Sequence, residues 1–413
     1  GRLSTLAPLP SLRDTDATNR ALMMTADGQW LEDAVLDRVD ARNAGFLDAY
    51  ARGVNAWLAD LRAGENGAEL SEEYDYPALT TEDIPDWEAE DSVALAVYNS
   101  INSVFRRESR LGVIVSERDT RTAADLMGPR TVFATNPQSV GGLTSATMVA
   151  HREREHPPAL DRSHLRRARP LLEAAMSDLE PIGGLLGDPM AVPGSNSWAV
   201  GPDKTASGRA ILAQDGHNTL TNPTPQFLVE VDATTSGSGE FHVAGITYAG
   251  GPALQTGFNE QVAWGATTAY LDMADLYVES LNAEGDAVMF EGEEVAIQTR
   301  DFQVGSTTKT LRWVPHHGPL IEYDAQAGTA LSLRHVLHDP AEGANLVETI
   351  GAWLEVSDAA QFGEASNGAA ADLAHAVIDE DDSIGLYLAG HVPARPWATA
   401  DSLNPALPLP GDG

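Results

Sequence analysis

Pro193-Gly194-Ser195-Asn196-Ser197-Trp198-Ala199-Val200-Gly201 stands where the chain changes character. Before it lies a stretch crowded with arginine and interrupted by proline; after it come short, often alternating apolar segments that read as strands. Glycine before serine leaves the peptide bond between them sterically open. The serine hydroxyl can attack its own preceding carbonyl, convert that amide to an ester, and let water cut it. The product is a chain that begins with Ser195, whose free α-amine acts as base for its own hydroxyl. An unperturbed α-amine titrates at about 7.7–8, so much of it is neutral near pH 8. Gly-Ser at a loop–strand junction is also commonplace, and taken alone it carries little weight.

Downstream, residues 197–200, 210–213, 227–231 and 241–243 are short, often alternating segments separated by Gly, Pro and Asn, and 295–304 and 310–314 continue the pattern. They predict a strand-rich half, with some runs apolar on both faces as in a buried sheet. Upstream, Arg152, Arg154, Arg162, Arg166, Arg167 and Arg169 crowd into residues 150–194, where Pro157-Pro158, Pro170, Pro181 and Gly183-Gly184 interrupt any regular element. Two readings stand: an exposed loop with one short helix, or a linker peptide between two subunits. The first 110 residues read as helical. Phe46, Tyr50, Val54, Trp57 and Leu61 form a core-facing stripe that Gly64 and Gly67 terminate. A second helix is expected from about Asp91-Ser92, with Val97, Ile101, Val104 and Phe105 on one side and Glu108 near its end. No internal repeat or low-complexity tract is present.

Composition narrows the function. The 413 residues suffice for two or three ordinary domains or one large core, and 43% hydrophobic residues argue against wholesale disorder. With 61 acidic and 26 basic residues the formal charge is −35, which argues against nucleic acid and against an anionic membrane surface as partners. Such acidity suits high salt and is also an ordinary solvated surface. There is no cysteine, so disulfides, thiolate catalysis and iron–sulfur clusters are excluded together. No apolar run reaches the roughly 18 residues of a membrane span. The familiar nucleophile elbow, P-loop, zinc helix and dinucleotide fingerprint are all missing. The eleven histidines are dispersed, and His316-His317 reads as structural.

The run from Ser195 through Trp198, Gly201, Lys204, Gly208, Gln214 and Asp215 to His217 closely resembles the start of the catalytic subunit in the penicillin acylase family. So do the stretches 250–259, 262–268 and 272–277. Residues 1–4 and 49–57, with Trp87 ahead of Asp91-Ser92, resemble that family's smaller subunit, and 317–321, 384–387, 393–395 and 409–411 fit in order.

The resemblance implies an α+β fold, the four-layer αββα sandwich of N-terminal-nucleophile hydrolases. It would have a helical N-terminal part and be truncated at both ends. It implies a partial small subunit over 1–149, a spacer over 150–194, and a partial catalytic subunit over 195–413. Ser195 is then nucleophile and amine base. Thr268 gives a backbone N–H to the oxyanion hole, and His217 helps orient the serine amine, the alternative being a satisfied turn histidine. Asn259 is expected to be a structural turn residue. Asp272 and Asp275, with the Ala274 carbonyl and Glu108, match ligands of a calcium ion that staples the halves; the alternative is that these acids only make hydrogen bonds. Calcium wants six to eight oxygens, so the set is incomplete.

The family's second oxyanion donor, an asparagine, is expected beyond this sequence. Gly216 and Asn218 replace the Pro and Leu usual beside His217. The implied activity is removal of an acyl group from a small amide substrate by a self-processed α/β heterodimer, periplasmic or secreted. The acyl group is open between an acyl-homoserine lactone and a β-lactam side chain, and an inactive, unprocessed relative is the remaining alternative.

Overall fold

The computed structural model describes residues 10–25, 27–72, 80–117, 163–177, 194–217, 224, 226–235, 239, 242–304, 307–395 and 406–413. Its helices are α1 (Pro10–Leu22), α2 (Leu31–Leu36), α3 (Ala41–Ala63), α4 (Ala89–Glu117), α5 (Ser163–Ser177), α6 (Pro340–Trp353) and α7 (Ala359–Ser366). Asp40 starts α3 by accepting hydrogen bonds from the Arg42 and Asn43 amides, and Gly64 ends it in the left-handed region at φ 66°.

The buried face of α3 is Asn43, Leu47, Ala51, Leu58 and Leu61. Of the expected stripe only Leu61 is buried, and Trp57 is 47% exposed. The stripe is one residue out of phase because α3 presses Asn43 onto Gly351 of α6, where a Cβ would come within 2.0 Å of Asn43 Oδ1. Tyr50 instead ties α3 sideways, its hydroxyl accepting from the Gly250 amide at 3.0 Å. Asn55 exchanges hydrogen bonds with the Trp87 backbone, and the Trp87 indole N–H donates to Ser92.

In α4, Val93, Val97 and Ile101 recur at four-residue spacing and are fully buried. The helix runs on to Glu117, so Glu108 lies inside it rather than near its end. The side chains of Val104 and Phe105 lie outside the described residues.

The arginine-rich stretch holds a core helix. Leu165, Ala168, Leu171, Leu172 and Ala175 of α5 are buried, and α5 packs on α4. Pro170 stands inside α5 without ending it. An interior proline costs about 3 kcal/mol, and burying three leucines at roughly 1.5–3 kcal/mol each outweighs that. Arg152, Arg154, Arg162, Pro181 and Gly183-Gly184 lie outside the described residues.

The strands are β1 (Gly194–Val200), β2 (Ile211–His217), β3 (Gln226–Asp232), β4 (His242–Tyr248), β5 (Thr256–Phe258), β6 (Val262–Thr268), β7 (Ala274–Ser280), β8 (Ala287–Phe290), β9 (Glu293–Ala296), β10 (Gln298–Val304), β11 (Thr307–Val314), β12 (Gly318–Asp324), β13 (Thr329–His335), β14 (Leu373–Asp379), β15 (Ile384–Ala389) and β16 (Leu409–Pro410). The run 295–304 is two strands, broken at Ile297, whose amide turns away to the Asp286 carbonyl at 2.8 Å.

One six-stranded sheet has the order β15-β14-β6-β5-β4-β3, the other β10-β11-β12-β13-β7-β16. The first is antiparallel throughout, and α6 and α7 lie on one face, where Trp264, Trp353, Phe362 and His375 form an aromatic layer. The β1–β2 hairpin lies against β6 and β14, on the opposite face, where it meets Gly265. Helix pair, sheet and hairpin thus stack as successive α, β and β layers. The second sheet carries α4 and α5 against β7, β12 and β13. The architecture is α+β.

Candidate active site

Strand alternation decides what each residue of the hairpin can reach. The antiparallel register pairs Ser195 with Gly216, Ser197 with Gln214 and Ala199 with Leu212. Residues paired in this way share a face. Ser197 and Gln214 point at the first sheet, because a Cβ on Gly265 would come within 2.4 Å of Ser197 Oγ and 2.7 Å of Gln214 Oε1. Glycine at 265 is what allows the hairpin to approach so closely. Ser195, two residues before Ser197, therefore also faces the sheet.

Gln214 Nε2 donates to the Ala266 carbonyl at 2.8 Å and fixes the hairpin along β6. The far end of the hairpin, at Ile211 and Leu212, shares an apolar hollow of about 410 Å³ with Ala263, Phe258 and Ile378. The order along β6 thus directs the Ser195 end toward Thr267 and Thr268. Ser195 Oγ donates to the Gly194 carbonyl oxygen at 2.7 Å, so the hydroxyl and the carbonyl preceding it are neighbours.

The same alternation puts the His217 side chain on the outer face with those of Asn196 and Asp215. Its Nε2 lies 3.0 Å from Asp215 Oδ2 and 3.1 Å from Asn196 Nδ2. His217 is opposite Gly194 in the register, and its ring also reaches that glycine, with Nδ1 3.5 Å from where a Cβ on Gly194 would stand. Gly216 pairs with Ser195 itself, and Asn218 lies outside the described residues.

Thr268 ends β6. The Ala266 amide points to the β5 side, where Thr256 Oγ1 accepts it at 3.0 Å, while the Ala269 amide points to the Asp372 carbonyl at the edge of β14. By alternation the Thr268 N–H points the same way as that of Ala266, past Thr256 where β5 begins. Asn259 is a turn residue. Its Oδ1 accepts from the Gln261 and Val262 amides, and its Nδ2 donates to the Leu354 and Val356 carbonyls.

Glu108, Asp272, Ala274 and Asp275 come together at the start of β7, and sequence reasoning missed what sits among them. The Arg395 guanidinium donates through Nε to both Asp275 carboxylate oxygens, at 2.9 and 3.2 Å, and through Nη2 to the Asp272 and Ala274 carbonyls, each at 3.2 Å. Its Nη1 lies 3.3 Å from Asp272 Oδ2. Glu108 Oε1 is committed to the Leu276 amide at 2.9 Å. Burial, reinforced by the Asp275 and Asp272 carboxylates, holds the Glu108 carboxyl well above the ordinary glutamate range. Among the described residues no group of three or more His, Asp or Glu side chains is set out to hold a metal ion. The Asp275 carboxylate and the Asp272 and Ala274 carbonyls expected to hold calcium are, as arranged here, turned to Arg395. The only earlier sign of Arg395 was its place in the 393–395 match.

The chain is thus an α+β protein with a serine at the head of a hairpin set over a glycine-floored sheet. The family model described as penicillin amidase matches residues 1–413, and the chain belongs to that family.

Among its relatives, an acyl-homoserine lactone acylase QuiP of Pseudomonas fluorescens (strain Pf0-1) is 24% identical over 96% of this chain and 45% of its own length. The penicillin acylase 2 proenzyme of Pseudomonas sp. (strain SE83) is 29% identical over 91% of this chain and 44% of its own length. Penicillin G acylase of Escherichia coli is 28% identical over 56% of this chain and 26% of its own. The chain thus spans less than half the length of these relatives. A solved structure of thermostable penicillin G acylase from Alcaligenes faecalis matches with a TM-score of 0.44 and 24% identity, over 52% of this chain and 38% of that one. Among the described residues no helix is long and apolar enough to cross a membrane.

Proposed function

We propose that this chain carries the nucleophile of a self-processing amide hydrolase that removes an acyl group from a small amide substrate. The observation that carries the reading is the placement of Ser195. It heads the hairpin, faces the sheet, and holds its hydroxyl against the Gly194 carbonyl. In the processing step Ser195 Oγ attacks the Gly194 carbonyl carbon and the Gly194–Ser195 C–N bond breaks. The resulting ester is hydrolysed by water, leaving a Gly194 carboxylate and a free Ser195 amine. In turnover that amine takes the hydroxyl proton as Oγ attacks the substrate carbonyl. The Thr268 N–H supports the oxyanion, a contribution typically worth about 2.7–4 kcal/mol. The substrate amine leaves with the proton, and water then releases the acid. His217 steadies the turn beside the nucleophile through Asn196 and Asp215.

The two cleaved parts stay together as an α/β heterodimer in the periplasm or outside the cell. The acyl-homoserine lactone reading of the substrate is favoured by the names of several relatives, QuiP among them. The test is hydrolysis by the intact protein of phenylacetyl, glutaryl and long-chain acyl amides, including acyl-homoserine lactones. At least one should be turned over by wild type and none by Ser195→Ala. Equal turnover by the two would remove Ser195 from the mechanism.

A further inference from the structure

We propose that Arg395 is a built-in cation that replaces a divalent metal at the junction of the two sheets, so that the protein's stability is independent of calcium. The oxygens converging there are the kind calcium binds: two carboxylates and two main-chain carbonyls. In this chain they are already used. Nε spans both oxygens of Asp275, Nη2 spans the Asp272 and Ala274 carbonyls, and Nη1 faces Asp272 Oδ2. A guanidinium is a rigid planar fork of five donors, and this arrangement of acceptors along two of its edges suits it better than a spherical ion.

Burial makes the choice exclusive. The Arg395 side chain is only 3% exposed. A metal entering the site would have to expel the guanidinium and leave it without compensation in the interior, which is strongly unfavourable. Of the fourth expected ligand, Glu108, one oxygen is engaged, Oε1 accepting from the Leu276 amide, and Oε2 is buried without a hydrogen-bond partner among the described residues.

The position explains what such a cation does. Asp272 lies in the turn between β6 of the first sheet and β7 of the second, and Arg395 follows β15, the edge strand of the first sheet. Glu108 belongs to α4, which packs on β7. Arg395 thus pins the segment after β15 to the β6–β7 turn, while Glu108 holds α4 to the next residue of the same strand.

The experiment is thermal unfolding of the intact protein after exhaustive chelation, with and without millimolar calcium, together with elemental analysis. The wild type should melt at the same temperature in both and carry no stoichiometric metal. Arg395→Ala should lose about 5 °C or more in chelator and regain part of that loss when calcium enters the emptied acidic hollow. Arg395→Lys keeps the charge but not the fork; it should fall between the two and serves if the alanine variant does not fold. A wild type that loses stability on chelation, or that holds one calcium per chain, would overturn the proposal. So would an Arg395→Ala protein that melts like the wild type.

Discussion

Replacing His375 by leucine should make the protein markedly less sensitive to acid. The ring lies on β14 opposite Ala266 and Tyr387, fully buried, with its centroid 4.6 Å from that of Trp353 and 5.1 Å from that of Phe362. Neither ring nitrogen has a hydrogen-bond partner among the described residues. Burial alone pulls its pKa down to about 3 from the ordinary 6.5. The unfolded chain therefore takes up a proton as pH falls through 6.5, while the folded chain refuses it until about 3. Across that window the fold loses up to about 1.4 kcal/mol per pH unit on account of this one ring. By pH 5 the loss is about 2 kcal/mol, and near pH 3 it approaches roughly 5 kcal/mol. Leucine is of similar size and cannot be protonated. At pH 7 it also removes two buried unpaired nitrogens, each costing roughly 1–3 kcal/mol, so the variant should be at least as stable as wild type there. Urea unfolding followed by tryptophan fluorescence at pH 7, 6 and 5 reads the difference directly. The stability gap between variant and wild type should widen by about 2 kcal/mol from pH 7 to pH 5. Two curves that stay parallel across that range would show that the ring has access to a proton acceptor or to water, and that His375 is not the source of acid sensitivity.

Gly265→Ala places a methyl where Ser197 Oγ and Gln214 Oε1 already stand, at 2.4 and 2.7 Å. The hairpin should lift from β6, and self-cleavage should slow by at least tenfold while circular dichroism stays near wild type; unchanged cleavage would remove the close approach from the account. Because α5 contributes Ala168, Leu171, Leu172 and Ala175 to the main core, residues 163–177 should remain bound after processing. Mass spectrometry of the purified protein checks this, and loss of the α5 peptide without loss of the fold would contradict it. Leu172→Ala, at a fully buried site, should cost about 2–5 kcal/mol in denaturant unfolding, and a cost under 1 kcal/mol would show that α5 does not hold the core together.

What the sequence disclosed and what it concealed differ for physical reasons. The strands after Ser195 were legible because Gly, Pro and Asn punctuate short β-branched runs, and the change of period at Ser195 marked where the strand-rich half begins. Helix α3 was legible as a helix but not in its facing. It carries two adjacent apolar rows, Phe46–Tyr50–Val54 and Leu47–Ala51–Leu58, and only the contact with α6 decides which is buried. Helix α5 was hidden by its arginines and Pro170, although the spacing of Leu165, Ala168, Leu172 and Ala175 is the signal that could have revealed it. The inward facing of Ser195 and the outward facing of His217 follow from strand parity once the β1–β2 register is known, and no local pattern supplies that register. Arg395 is 120 residues from Asp275. Its partners are chosen by tertiary structure, so only the placement of the 393–395 segment against the β6–β7 turn brings it into view.

On the proposed mechanism Ser195 cuts the bond before itself and then acts as the nucleophile. The decisive measurement is intact-mass and N-terminal analysis of the purified intact protein beside its Ser195→Ala variant. The wild type should yield two chains, one of them beginning at Ser195, and the variant a single uncut chain. A Ser195→Ala protein still cleaved between residues 194 and 195, or a wild type that stays in one piece while hydrolysing amides, would contradict the account.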